Sequence, residues 1–387
     1  MAISSIAHDA GIAVLAYDTG IASIAHDTEW LQVTFTDGET SEFYVQWLRD
    51  NIPSGRHQDR GQRTFDINAL PQQSLSEVTH TGDQITITFD LESRNHVFTA
   101  SWLHSHRSPI TPRTNPNPVL WNAEEQNELC FADYSTLKSS RRGLHSWLRH
   151  IRDYGYGLVE NVPTEPGTVL EVVEMFGYVR DTNYGKLFEV RAEPNPSNLA
   201  FTKLGIGMHT DNPYRDPVPG LQLLHCLLNE SDGGETQLVD GFAVAEKIRQ
   251  KDPGAFWLLS TQPVRFRYLD EGSADLEATS PLIETNSHGE VIALRYNSRS
   301  AQAFTFPSEV MADYYAAYRL LGELLHEPEA RIEFRLTPGQ LMIFDNQRVL
   351  HGRSSYEEGS RHLQGCYADK DSLRSFIRVL EEKNDCH

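Results

Sequence analysis

The chain changes its hydrophobic rhythm partway along. Leu31-Gln32-Val33-Thr34-Phe35 alternates apolar with polar, the period of a half-buried strand, and Thr36-Asp37-Gly38 turns it toward Ser41-Glu42-Phe43-Tyr44-Val45. A second pair, Gln84-Ile85-Thr86-Ile87-Thr88-Phe89 and His96-Val97-Phe98-Thr99-Ala100, gives another hairpin signal. Residues 1–103 therefore read as a small N-terminal β-rich domain. Residues 104–135, opening with His104-Ser105-His106-Arg107-Ser108-Pro109 and carrying Pro116-Asn117-Pro118, read as a linker with solvated histidines. From Leu144 the period lengthens: Leu144, Trp147, Leu148 and Ile151 stand at i, i+3, i+4 and i+7, one face of a helix closed at Tyr154-Gly155. Tyr156-Gly157-Leu158-Val159 reads as a strand, and Val169 to Phe176 as a second helix ended by Gly177.

Beyond about residue 198 short strands dominate. They run from Leu221 to Cys226, Thr236 to Asp240, Val291 to Tyr296, Arg331 to Leu336, Leu341 to Phe344 and His362 to Tyr367. One long helix, from Ser308 to His326, interrupts them. Many short strands with non-local pairing and flanking helices predict a mainly β fold, a double-stranded β-helix or jelly roll, over residues 136–387. The strict strand–helix alternation of a parallel α/β sheet is missing. Ser-Ile-Ala-His-Asp occurs at 5–9 and again at 23–27, with nothing else recurring at that period, and reads as a local duplication.

Charge narrows the partners. With 34 basic against 54 acidic residues the net charge is −20, which argues against nucleic acid or anionic membrane as a general partner. No apolar run approaches the roughly 18 residues of a membrane span. Met1-Ala2-Ile3-Ser4-Ser5 lacks the basic start and long apolar stretch of a signal peptide. The four cysteines (Cys130, Cys226, Cys366, Cys386) are scattered without metal spacing, so a reducing, cytoplasmic setting is expected.

The candidate chemistry starts at Met208-His209-Thr210-Asp211-Asn212-Pro213. His209 and Asp211 are two residues apart, so on an extended strand they leave from one face. A third ligand is available at His351 in Leu350-His351-Gly352-Arg353, which a closed antiparallel barrel would bring back beside them. Two histidines and one carboxylate with open positions form the facial triad of non-haem Fe(II) oxygenases. His-x-Asp alone is a weak signal, and a metal-dependent hydrolase is open on the same ligands. An oxo-acid bound to such a metal needs a planar, permanently charged fork for its distal carboxylate, which arginine supplies. Arg353 is a candidate by charge alone, but it stands too near His351 to reach past the co-substrate. His225, in an apolar strand, reads as a hydrogen-bonded core histidine.

Several further stretches now resemble one family, the Fe(II)/2-oxoglutarate oxygenases of the γ-butyrobetaine hydroxylase and trimethyllysine hydroxylase group. They are Trp47-Leu48-Arg49-Asp50-Asn51, Pro219-Gly220-Leu221-Gln222-Leu223-Leu224-His225, Gly233-Gly234-Glu235-Thr236, Val239-Asp240-Gly241-Phe242, Phe344-Asp345-Asn346 and the run from Arg361 to Asp369. The resemblance covers nearly the whole chain. It implies Fe(II) held by His209, Asp211 and His351, with 2-oxoglutarate and O2 as co-substrates and Arg361 as the oxo-acid's anchor. It also implies an aromatic cage for a trimethylammonium group at Tyr184, Phe188, Phe201 and Tyr367, where Phe188 stands for a tryptophan and Phe201 for a tyrosine. A quaternary ammonium donates no hydrogen bond, so ring faces are its favourable contact, worth about 0.5–2 kcal/mol.

For the substrate's anionic end the resemblance points to Asn198 and Asn297, with Asn212 and Arg295 as departures that suit a bulkier head group. Two substrates follow with near-equal weight: γ-butyrobetaine, or 2-(trimethylammonio)ethylphosphonate hydroxylated next to phosphorus. Relatives often carry a cysteine cluster for structural zinc after Leu-Arg-Asp-Asn. Here Ile52-Pro53-Ser54-Gly55-Arg56-His57 has no cysteine, and His57 with His96 makes a poor four-ligand site, so zinc is expected to be absent. The family resemblance also suggests a homodimer. The rival from another class is a non-catalytic sensor on the same barrel, which would predict damage to the triad or the arginine, and neither is damaged.

Overall fold

The computed structural model describes residues 20–58, 61–107, 118–124, 129–191 and 203–382. The chain divides into two compact units, Met1–Pro112 and Arg113–His387. In the first unit, Trp30–Phe35 and Thr40–Tyr44 pair antiparallel with Leu31 opposite Phe43, and Ile21–His26 joins on the other edge. Leu75–Thr81, Gln84–Phe89 and Asn95–Thr99 form the second three-stranded sheet. Alternation does what the sequence pattern requires: Leu31, Val33, Phe35, Ile85, Ile87 and Phe89 are fully buried in one core. Each sheet's last strand runs directly into a short helix, Val45–Asp50 and Ala100–Ser105. Of the two histidines weighed for zinc, His57 is exposed. His96 is buried, its Nε2 2.8 Å from Glu92 Oε2.

The second unit is built on two large sheets, with two hairpins beside them, Val264–Asp270 with Ala274–Ser280 and Ile283–Thr285 with Val291–Leu294. The larger runs Phe188–Arg191, Arg361–Ala368, Leu221–Asn229, Leu341–Asp345, Tyr156–Glu160, Phe131–Asp133, with Val179–Arg180 also on Arg361–Ala368. The smaller runs Ile206–His209, Val349–Arg353, Thr236–Asp240, Arg331–Phe334. Every pairing in these sheets is antiparallel except Phe131–Asp133 with Tyr156–Glu160. This is the mainly β, helix-flanked jelly roll that the strand pattern predicts.

Period-two alternation decides which side chains reach the interior. On Leu221–Asn229, Leu221 and Leu223 pack with Leu144, Trp147, Leu148 and Ile151 of the helix Arg141–Tyr154. Gln222 and Leu224 point the other way, into a cavity. Arg361–Ala368 does the same, with Cys366 and Ala368 under the helices and Arg361, Leu363 and Tyr367 on the cavity side. The helix Arg141–Tyr154 starts at Ser140, whose hydroxyl accepts from Gly143 N at 3.0 Å. It stops at Gly155, at φ +82° and with Arg348 so close that a Cβ would sit 2.9 Å from its Cδ.

Arg348 and Asp240 form an ion pair with almost no exposure, Nη2 to Oδ2 at 2.8 Å. The guanidinium also donates to the carbonyls of Val119 and Asp153, and Trp121 N donates to Asp240. Val119 and Trp121, in the stretch that reads as linker, are thereby fastened to the barrel of this unit.

Beyond residue 198 the sequence reading expects one helix besides the strands. The structure adds Gly241–Lys251, Pro253–Thr261 and Lys370–Glu382. Their cues are short-range. Asp240 and Asp252 cap the first two, accepting from Phe242 N at 3.0 Å and Ala255 N at 2.9 Å, and Pro253 opens the second. Leu373, Ile377 and Leu380 give the third its buried stripe. The long helix itself is Ser308–Leu325.

Candidate active site

The smaller sheet places the first two side chains. Ile206–His209 pairs with Val349–Arg353 so that His209 lies opposite His351, and the ring centroids are 4.2 Å apart. The backbone beyond His209 is pinned at each residue. Thr210 N donates to Tyr296 O at 2.8 Å and its Oγ1 accepts from Tyr296 N at 3.0 Å. Asp211 N donates to Asn346 Oδ1 at 2.7 Å, and Asn346 Nδ2 donates back to Asp211 O at 2.9 Å. Asn212 then takes a left-handed turn at φ +53°. Asp211 Oδ1 ends 3.2 Å from His209 Nε2. One ligand atom from each of His209, Asp211 and His351 lies within 4.8 Å of the other two.

Tautomer and orientation favour metal binding. His209 Nδ1 is 2.9 Å from Gly207 O, a bond that puts the proton there and leaves the Nε2 lone pair for a ligand role. Tyr367 OH donates to Asp211 Oδ2 at 3.0 Å, which leaves Oδ1 toward the histidines. Burial opposes charge on Asp211, but the His209 hydrogen bond and the two neighbouring imidazoles hold its carboxyl well below the usual range. Burial, with His209 alongside, pushes His351 down to about 3, so its imidazole is neutral and can ligate. Two nitrogens and one carboxylate oxygen on one face suit Fe(II). A second acidic group, Asp37, Glu39 and His104, is largely exposed, and Arg107 is bonded into it through Glu39 and His104.

The cluster opens into a cavity of about 490 Å³. Arg361 lines it and is nearly buried, with its Nε lacking a hydrogen-bond partner among the described residues. Burial, with Arg353 near, lowers its pKa to about 10, still a cation at neutral pH. A buried, unpartnered guanidinium in a cavity is a site for an anionic ligand group. Arg353 also reaches the cavity, donating to Leu204 O at 2.7 Å with its Cζ 5.3 Å over the Tyr356 ring.

Of the expected cage, Tyr184, Phe188 and Tyr367 all line this cavity, with Phe188 and Tyr367 centroids 5.0 Å apart. Asn212 and Asn297 line it too. Asn297 Nδ2 donates to Thr210 O at 3.1 Å, so it also braces the metal-site turn. Asn198 and Phe201 fall outside the described residues. Arg295 is a correction: it is not part of the lining, because its Nε pairs with Glu284 at 2.7 Å and its Nη1 with Pro213 O at 3.3 Å. The hairpin that sets Ile283 opposite Leu294 brings these two charges together.

Among the wall residues that sequence reading missed are Tyr214, Tyr268 and Arg299. Tyr214 OH lies 3.1 Å from Tyr184 OH and donates to Asn212 Oδ1 at 2.6 Å, and its ring stacks on Tyr268 at 5.1 Å. Tyr214 follows the His-Thr-Asp motif by three residues and Arg299 follows Asn297 by two, signals that were available. Nothing local marks Tyr268. His225 is fully buried in its strand, away from the cluster.

Comparisons with known proteins fit this geometry. Residues 107–367 match the model of the taurine catabolism dioxygenase TauD, TfdA family, and residues 23–104 match the γ-butyrobetaine hydroxylase-like N-terminal region. The γ-butyrobetaine dioxygenase of Pseudomonas sp. (strain AK-1) is 35% identical over 91% of this chain and 94% of its own. That of Homo sapiens is 30% identical, covering 91% and 95%. The mitochondrial trimethyllysine dioxygenase of Bos taurus is 32% identical, covering 87% and 82%.

Proposed function

The chain belongs to the TauD, TfdA family of dioxygenases, and from that premise we propose that it hydroxylates γ-butyrobetaine. It is an iron- and 2-oxoglutarate-dependent hydroxylase of the γ-butyrobetaine and trimethyllysine type. The observation that carries the substrate reading is that Tyr184, Phe188 and Tyr367 line the same cavity as His209, Asp211 and His351. Ring faces grip a quaternary ammonium that nothing else in the wall could hydrogen-bond. Arg295, which favours a phosphonate head group in the sequence reading, is engaged with Glu284 instead. Arg299 and Asn297 remain on the wall for an anionic end. Arg299 also keeps 2-(trimethylammonio)ethylphosphonate as the second reading, since a guanidinium fork accepts a phosphonate as readily as a carboxylate.

In this reading His209, Asp211 and His351 hold the metal, and Arg361 holds the distal carboxylate of 2-oxoglutarate. The metal, when bound, supplies oxygen activation coupled to decarboxylation of the oxo-acid. The chain's own contribution is positioning. Its two imidazoles would offer nitrogen ligands, Asn346 and Tyr296 fix the turn that carries Asp211, and the cage with the polar wall aims one C–H bond at the cluster. The test is succinate release by the purified protein with γ-butyrobetaine, the phosphonate and trimethyllysine in parallel. Stimulation by γ-butyrobetaine above the other two supports the proposal. Faster turnover of the phosphonate selects the second reading, and no stimulation by any trimethylammonium acid overturns both.

A further inference from the structure

Tyr367 stands in two arrangements at once. Its ring forms part of the aromatic wall, 5.0 Å from Phe188, and its hydroxyl donates to Asp211 Oδ2 at 3.0 Å. Tyr367 is buried, with 4% of the residue's surface exposed. Asp211 has one oxygen near His209, Oδ1 at 3.2 Å, and the other taken by the tyrosine. A carboxylate with both oxygens free can swing or bind through either one. One oxygen anchored by a buried hydrogen bond presents the other in a single orientation.

The anchor is itself held. Tyr367 pairs with Gln222 in the central part of the larger sheet, which fixes the backbone that carries it. On the same wall, Asn212 Oδ1 accepts from Tyr214 OH at 2.6 Å, and that hydroxyl lies 3.1 Å from Tyr184 OH.

We propose that Tyr367 is a positioning residue for the metal: its hydroxyl fixes Asp211 as a one-oxygen ligand, while its ring serves the trimethylammonium wall. This rests on His209, Asp211 and His351 being the metal cluster. It does not depend on which substrate is used. Losing the hydroxyl weakens metal binding, and losing the ring weakens substrate binding, so the two roles separate by substitution.

The experiment titrates Mn(II), as a stable stand-in for Fe(II), into the full chain and follows free Mn(II) by electron paramagnetic resonance, with no trimethylammonium compound present. Tyr367→Phe keeps the ring and is expected to lose about tenfold in Mn(II) affinity, within the 10–100-fold range for outer partners of metal ligands. In turnover assays the same variant is expected to hold its KM for the trimethylammonium substrate within about threefold. Tyr367→Met fills the space without ring or hydroxyl, is expected to show the same Mn(II) loss with a larger rise in KM, and guards against misfolding of the first variant. Phe and Met variants that fold, by circular dichroism, and bind Mn(II) within twofold of the parent overturn the proposal. A parent that takes up no Mn(II) brings down the His-Asp-His cluster and the proposal together.

Discussion

At the scale of single residues, the site rests on groups whose burial is justified only by a ligand. Arg361 is the clearest, a nearly buried cation whose Nε has no partner among the described residues. Charge-assisted hydrogen bonds of this kind are worth about 1.5–3 kcal/mol. Arg361→Ala is therefore expected to raise the KM for 2-oxoglutarate by roughly 10–100-fold, and Arg361→Lys to recover only part of it, because a point charge does not reproduce the fork. Steady-state kinetics with varied 2-oxoglutarate checks both. His209→Ala is expected to abolish succinate formation altogether, since two ligands do not hold the metal. Phe188→Ala leaves the cluster intact and removes one ring face of about 0.5–2 kcal/mol. Its expected effect is a KM for the trimethylammonium substrate raised by about 2–30-fold, with metal affinity unchanged.

At the scale of elements, what the sequence made legible was what depends on local period. Leu31 to Phe35, Thr236 to Asp240 and the helix closed by Gly155 lie where alternation or i, i+3, i+4 spacing puts them. His209 and Asp211 could be paired on paper because two residues along an extended chain share a face. What could not be read was contact between distant segments. Arg295 looked available for the substrate because Glu284, eleven residues earlier, is set beside it only by the hairpin. Tyr268 reaches the cavity from Val264–Asp270, a hairpin strand whose sequence carries no mark of it. The helices after Asp240 and Asp252 were missed although both caps are visible, since the apolar run Ala255 to Leu259 has no clean period. Packing at one strand position is tight enough to test. A Cβ on Gly365 would lie 2.4 Å from Phe188 Cε2 and 2.8 Å from Leu224 Cδ2. Gly365→Ala is expected to lower stability by about 1–3 kcal/mol. By displacing Phe188 it should also raise the substrate KM, which thermal melts and kinetics on the same preparation would show together.

At the scale of the whole molecule, stability carries a pH signature from His225. It is fully buried, and burial lowers its pKa to about 4, against about 6.5 when unfolded. Between those values the unfolded chain binds the proton and the folded chain does not, so stability rises with pH across the window. His225's contribution is complete above about pH 6.5 and is lost as pH falls toward 4. His225→Gln is expected to show a shallower fall in melting temperature than the parent between pH 6.5 and 4. Equal slopes would remove His225 as a source of acid sensitivity.

The strand Arg361–Ala368 has one further implication. Arg361 and Tyr367 stand on its same face six residues apart, roughly 20 Å along an extended backbone. The proposed seats of the oxo-acid and of the trimethylammonium group are thus ruled off on a single rigid edge. A mutation cannot slide one without sliding the other, because a one-residue slip turns both toward the helices. Divergence toward longer or more highly charged substrates must come from the facing side, where Tyr184, Tyr268 and Arg299 are borne on hairpins and turns. Among relatives, the gauge of the chamber should be inherited and its far wall rewritten.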